Sequence, residues 1–218
     1  MTQLESDETR LILIRHAHVD NGNGGRRMCG WLDLPLSSTG EFQLQRLRNE
    51  PSEFKPDAVY ASSSSRARLT AEALAANWRV QVSIDPDLRE INSGALEGMV
   101  IDEVKHRFPE LWRINASQDD SDFAWPDGET YRSFRERVFG ALNRIACRHP
   151  NARIPVVTHT GVIAQAVGAI KGLSAAVWEQ HRPAPLTATE ISWSGGAPVH
   201  LLSFNVSDWW RGLQPPAE

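Results

Sequence analysis

Two cysteines in 218 residues, Cys29 and Cys147, are too few for a disulfide framework, and neither lies in a C-x-x-C or zinc-finger spacing. Two free thiols in a reducing, cytoplasmic setting are therefore expected. No run of about 18 apolar residues occurs, so no membrane span is expected. The opening MTQLESDETR is polar and acidic and lacks the pattern of a secretory leader. Positive charge is also short, with 23 Lys and Arg against 27 Asp and Glu and a formal net charge of −4. Bulk affinity for nucleic acid needs a basic face, which this balance does not supply, although arginines can still cluster locally. Internal repeats, low-complexity tracts and linkers are absent as well.

What is present is ordinary globular material, 41% hydrophobic and 23% charged. The length suits one domain over 1–218, with 1–9 and 212–218 expected as loose termini. RLILIR (10–15) reads as a buried strand, as do DAVYAS (57–62), VQVSID (80–85) and IPVVTH (154–159). ATEISW (188–193) and VHLLSF (199–204) read as a closing hairpin around SGGA. Helices are expected from Ser38, with Glu41 at capping-box spacing, and over 65–78, 131–149 and 161–172. A further helical stretch, 99–112, is interrupted by Pro109, and 119–130 reads as a loop. Phe134, Val138, Leu142 and Ile145 recur at spacings of three and four, as one buried helical face requires. Strands alternating with helices predict an α/β fold, a three-layer sandwich with a largely parallel central sheet flanked by helices.

In such sheets function collects at the carboxyl ends of strands. The first predicted strand ends in LILIRHAHVD (11–20), where His16 and His18 stand two apart beside Arg15. The second ends in SSSSRAR, the third leads into DLREINSG, and the fourth ends in His159. Arginine forks bind phosphate oxygens, a neutral histidine can attack phosphorus, and a carboxylic acid can protonate a leaving oxygen.

Six blocks in order resemble the histidine phosphatase superfamily, the phosphoglycerate-mutase-like group. LIRHA resembles its RHG segment, and GRRMCGWLDLPLSSTG (25–40) its G-R-x-x-G-x-x-D-x-P-L-T-x-x-G segment. SSSSRARLTAEAL, DLREINSGALEG, WPDGETYRSFRERV and VVTHTGVI are similar to the blocks that follow, and LLSFN also fits. One RHG-like triplet would mean little, whereas six ordered blocks from Leu11 to Asn205 are specific. The chain departs from the pattern at Ala17, where glycine is usual, at His18, where many relatives have glutamate, and at Thr160.

The resemblance implies a metal-independent phosphomonoesterase with no cofactor. His16 would be the nucleophile, Arg15 and Arg66 the grip on the phosphoryl oxygens, Glu90 the general acid and base, and His159 a second histidine on the phosphoryl group. Each has a plainer alternative: a satisfied strand-end histidine for His16 and His159, a solvated helix arginine for Arg66, a surface salt bridge with Arg89 for Glu90. Glu97 is the rival acid, expected to be structural. Asn21 and Asn23 are both candidates for holding phosphate, and His18 and Thr160 for touching substrate, although His18 reads equally as a loop histidine. Serines 62 to 65 either donate to an anion or cap a turn. His106, His149, His181 and His200 are expected at the surface. Trp31, Trp125, Trp209 and Trp210 either line the pocket rim or pack in the core, with packing the default.

Three other functions need weighing. A mutase of the same family must hold two phosphate positions, and the 68 residues between Glu90 and His159 look compact for that. H-x-H also occurs in metallohydrolase barrels, but those run to about 250 residues with eight strand–helix units. A phosphate-binding module without catalysis would have lost part of the set. The expected partner is a small phosphorylated metabolite, with no nucleic acid and no membrane. Specificity is expected from 99–130, where DDSD (119–122) would give an acidic rim favouring a small or partly apolar monophosphate.

Overall fold

A computed structural model describes residues 8–22, 25–49 and 54–209, and shows six strands and six α-helices. Strand β1 (Thr9–Arg15) is the centre of the architecture. On one side it pairs in parallel with β4 (Arg153–Thr158), which pairs in parallel with β2 (Val59–Ala61), and β2 with β3 (Val82–Ile84). On its other side β1 pairs antiparallel with β5 (Ala188–Ser194), which forms a hairpin with β6 (Ala197–Val206). The sheet order is β3-β2-β4-β1-β5-β6. Four parallel strands therefore present their carboxyl ends along one edge.

The apolar run of β1 serves both faces because successive side chains point to opposite sides of a sheet. Ile12 and Ile14 face α1 (Ser38–Asn49) and α2 (Ser65–Trp78), packing with Leu44, Leu47, Ala71 and Leu74. Leu11 and Leu13 face α5 (Tyr131–Arg148) and α6 (Thr160–Ile170), packing with Phe134, Val138, Leu142 and Val162. This is the predicted three-layer sandwich. The Phe134, Val138, Leu142 and Ile145 stripe is buried as its spacing requires, each side chain contributing about 1.5–3 kcal/mol of burial. A third cluster, built from Leu96, Val104, Phe123, Trp125 and Tyr131, lies under α3 (Ile101–Arg107) and α4 (Pro109–Ser117). Pro109 divides these helices by standing first in α4, where its missing N–H has no helical partner to lose.

Several local expectations need correction. Helix α1 is capped by Ser37, whose Oγ accepts from the Gly40 N–H at 3.1 Å, and not by Ser38, the first helical residue. Thr9, placed by the sequence reading in a loose terminus, opens β1, and its hydroxyl donates to the His149 carbonyl at 3.0 Å. His181 is buried, not superficial, with Lys171 Nζ 2.6 Å from its Nε2 and Phe204 against its ring. His149 is partly buried and hydrogen-bonds Tyr60 through Nε2 at 2.9 Å. Trp125 and Trp209 are buried, but Trp31 is 42% exposed. Asn23, Trp210 and the 212–218 tail lie outside the described residues. Among those described, no helix is long and apolar enough to cross a membrane, and both cysteines are free thiols.

Candidate active site

The carboxyl edge of the sheet opens into a cavity of about 590 Å³, lined among others by Arg15, His16, Arg66, Glu90 and His159. Residues distant in sequence meet there because β1 delivers Arg15–His16, β4 delivers His159, and α2 starts just after β2 and carries Arg66 in its first turn.

His16 is buried at the end of β1. Its Nδ1 lies 2.7 Å from the Ala17 carbonyl, which can only accept, so Nδ1 carries the proton. Nε2 then carries the lone pair, and the Arg66 Nε–H donates to it at 3.3 Å. The neighbouring alanine in place of glycine has no conformational cost, since Ala17 is not among the residues at positive φ. Its N–H donates to Thr70 Oγ1 at 3.0 Å.

Arg66 is 2% exposed and organises the floor. Nη1 donates to the Leu32 carbonyl at 2.7 Å, and Nη2 to the Gly30 carbonyl at 2.9 Å and to His159 Nδ1 at 3.4 Å. A guanidinium cannot accept, so His159 Nδ1 is unprotonated and Nε2–H donates to Ser62 Oγ at 2.8 Å. The two imidazoles meet edge to face, with centroids 5.2 Å apart. Arg68, by contrast, is a solvent-side residue facing Glu72.

Burial and the Arg66 charge hold both His16 and His159 well below the usual histidine range, so each is a neutral base. Burial also lowers the Arg15 guanidinium to about 10. The stability consequence has a definite sign. In the unfolded chain both imidazoles take up protons below pH 6.5, while in the fold they resist doing so. Stability is therefore full above pH 6.5 and falls as the pH drops from there towards the lowered native values. Unfolding free energy measured by denaturant titration is expected to decline across pH 6.5 to 5, less steeply in His16→Gln. An unchanged slope in that variant would contradict the burial of a neutral His16.

Glu90 follows β3 and reaches across to the start of α6. Its Oε2 accepts from the Gly161 N–H and its Oε1 from the Ile91 N–H, both at 2.9 Å. It makes no pair with Arg89, which donates to Ser63 Oγ at 2.7 Å and stacks on Trp31. The rival carboxylate, Glu97, is consumed by the backbone N–H groups of Trp31 and Ser93. Gly161 is required by this approach, because a Cβ there would lie 2.1 Å from Glu90 Oε1. Gly161→Ala is expected to push Glu90 aside and lower kcat by about 10²-fold with the fold intact. The check is steady-state kinetics beside a thermal melt, and normal kcat would show that the position of Glu90 does not matter.

Of the remaining candidates, Asn21, His18 and Thr160 line the cavity. His18 is tied to α1, with Nδ1 2.8 Å from Ser37 Oγ and its N–H donating to Gln43. The α6 N-terminus is less available to an anion than the sequence suggests, since the Gly161 N–H is spent on Glu90. The serine run is likewise engaged within the protein. Ser62 and Ser64 contact His159, and Ser65 donates its N–H and hydroxyl to Asp33. Asp33 also lies 3.8 Å from Arg66. Sequence reasoning quoted the aspartate's segment without giving it a role.

The rim differs from expectation in charge. DDSD (119–122) does not line the cavity: Asp122 forms a fork with Arg132, and Asp120 accepts from the Asp122 N–H. Arg26, Arg27 and Arg182 line the cavity instead, together with apolar residues that include Trp112, Trp125 and Phe134. The 99–130 segment does contribute to this lining, through Ile101, Trp112, Asn115 and Trp125.

Comparison with known proteins gives the same picture. Residues 11–206 match the model of the histidine phosphatase superfamily, branch 1. The chain is 35% identical over 160 residues to phosphoglycerate mutase-like protein 4 of Arabidopsis thaliana, covering 72% of this chain and 69% of the relative. It is 33% identical over 188 residues to a metal-independent phosphoserine phosphatase of the same plant, covering 80% and 77%. Among solved structures, mycobacterial glucosyl-3-phosphoglycerate phosphatase superposes with a TM-score of 0.79 at 25% identity, over 92% of this chain and all of that one.

Proposed function

The chain belongs to the histidine phosphatase superfamily and is a phosphatase of that type; on that premise we propose that it hydrolyses a phosphomonoester through a phosphohistidine on His16, without a metal ion. The observation that carries the reading is the unprotonated Nε2 of a neutral, buried His16, held by the Arg66 Nε–H in a cavity that Arg15, Arg66, His159 and Glu90 also line.

In the first step Nε2 attacks phosphorus and the bond to the ester oxygen breaks. Glu90, as the carboxylic acid, gives its proton to the departing oxygen. The ring then carries positive charge, which the Ala17 carbonyl stabilises at Nδ1–H. Arg15 and Arg66 move their donors onto the three phosphoryl oxygens, where charge spreads in the transition state. His159 Nδ1 faces the same oxygens, and by taking the proton of a monoanionic phosphate ester it becomes a further donor. In the second step Glu90 takes a proton from water, water oxygen attacks phosphorus, and the P–N bond breaks to release phosphate and restore His16.

Hydrolysis is favoured over mutase-type transfer by a second cavity of about 260 Å³ that also reaches Arg66, Glu90 and His159. On this reading the second cavity is where the water that Glu90 activates would wait, apart from the substrate-sized cavity. The metallohydrolase reading of H-x-H is not supported by the side chains, since His16 and His18 are tied to different partners, Ala17 and Ser37. Turnover of 4-nitrophenyl phosphate is expected to survive prolonged incubation with EDTA, and activity lost to chelator and restored by a divalent cation would overturn the mechanism.

A further inference from the structure

We propose that Arg26 and Arg182 form an anion subsite at the mouth of the cavity, so that the substrate carries a second anionic group, carboxylate or phosphate, beyond the phosphoryl ester. The inference rests on the phosphatase reading above and specifies what that site accepts.

Consider what each arginine of the cavity donates to. Arg66 serves two carbonyls and both histidines on the floor. Arg15 gives Nη1 to the Pro183 carbonyl at 2.7 Å, while its Nε is buried with no partner among the described residues. Arg27 is held by the carbonyls of Asn21 and Gly98 and so acts as a strut. The guanidinium donors of Arg26 and Arg182 find no hydrogen bond or ion pair among the described residues, yet both line the cavity. Exposure rises in order, from the buried Arg66 through the half-buried Arg15 and Arg182 to the exposed Arg26. The four thus mark a path from the phosphoryl floor to the mouth.

Unpaired like charges in a partly desolvated place are costly. Arg26 opposes the charge on Arg182, and both oppose the charge on Arg15, while the acidic groups that favour the charged Arg182 are Glu90 and Glu179. Glu179 does not close an ion pair with it. Arg182 is nonetheless held in place, with its guanidinium 5.4 Å above the Trp178 ring, and the Trp178 N–H is anchored by Gln118 at 3.0 Å. A stacked guanidinium keeps its donor fork free and planar for an oxyanion. The phosphoryl group has three terminal oxygens, already addressed by Arg66, Arg15 and His159. Two further arginines nearer solvent therefore address a different group. The apolar lining of Trp112, Trp125 and Phe134 accommodates the carbon body between the two anions.

The test compares kcat/KM for phenyl phosphate, 4-carboxyphenyl phosphate and 4-phosphonophenyl phosphate in the wild-type enzyme and in Arg26→Gln, Arg182→Gln and the double variant. The wild type is expected to prefer an anionic ester by about tenfold or more, mainly through KM. The double variant is expected to bring that ratio close to one. The ester with the larger ratio identifies the second group as carboxylate-like or phosphate-like. Arg144→Gln removes a surface charge that serves Asp85 and Asp87, and is expected to keep the wild-type ratio. Equal kcat/KM for all three esters in the wild type, or a preference retained in the double variant, would overturn the subsite. No turnover of any ester would overturn the phosphatase reading itself.

Discussion

His16→Ala is expected to lower kcat by about four orders of magnitude or more, because a covalent route has no replacement for its nucleophile. The structure makes this a clean experiment. The His16 side chain contacts the Ala17 carbonyl, Arg66 and His159, all at the sheet edge facing the cavity. The β1 residues that pack the two helical layers are Leu11 to Ile14, and they stay in place. Arg66 keeps its bonds to the Leu32 and Gly30 carbonyls, and water entering the vacated space can accept from Nε. Melting temperature is therefore expected to move little while turnover vanishes. A variant that retains more than about a hundredth of wild-type kcat would remove His16 as nucleophile.

Glu90→Gln carries the second large effect, and its magnitude should depend on the leaving group. With an alkyl phosphate the departing oxygen needs a proton, and the loss is expected to be about 10²–10⁴-fold. With 4-nitrophenyl phosphate the leaving group departs unaided, so the first step stays fast. The second step still lacks a base for water. A burst of nitrophenolate, stoichiometric with enzyme and followed by slow turnover, is the expected time course. Glutamine retains one oxygen for the Gly161 or Ile91 N–H but not both, which costs about 1 kcal/mol of stability. Equal losses on both esters, with no burst, would mean that Glu90 positions the site without transferring a proton.

The parts of this site legible from sequence were those at strand ends in short local patterns. The apolar run before Arg15–His16 marks a central strand, and IPVVTH ends one in the same way, so topology alone brings His16 and His159 to one edge. The helix over 65–78 is readable from its composition, while the choice of Arg66, in its first turn, over Arg68 rests on the resemblance of SSSSRARLTAEAL to the family block. What stayed hidden depends on chain segments that meet only in the fold. Arg182 lies in no quoted block, and Arg26, although inside GRRMCG, has no assigned role there; that both line one cavity is visible only in the fold. Asp33 looks like any loop carboxylate until Ser65 and Arg66 are seen beside it. The acidic rim failed because charge in a sequence says nothing of direction: Asp122 turns to Arg132, away from the cavity. His181 was misplaced for a related reason, as a lone histidine carries no periodicity to reveal its burial. Ser37 and Ser38 are chemically equal caps, and only backbone geometry chooses between them.

The central claim is the covalent intermediate, and it is tested most directly by trapping it. The enzyme is mixed with a ³²P-labelled phosphomonoester, quenched in alkali within milliseconds, digested, and the labelled peptide sequenced by mass spectrometry. Phosphate is predicted on the peptide bearing His16, attached at Nε2, stable in alkali and lost in acid as a phosphoramidate must be. The label should be absent from His16→Ala and should persist longer in Glu90→Gln. Label on another residue, or brisk turnover with no label at any time after mixing, would contradict the account.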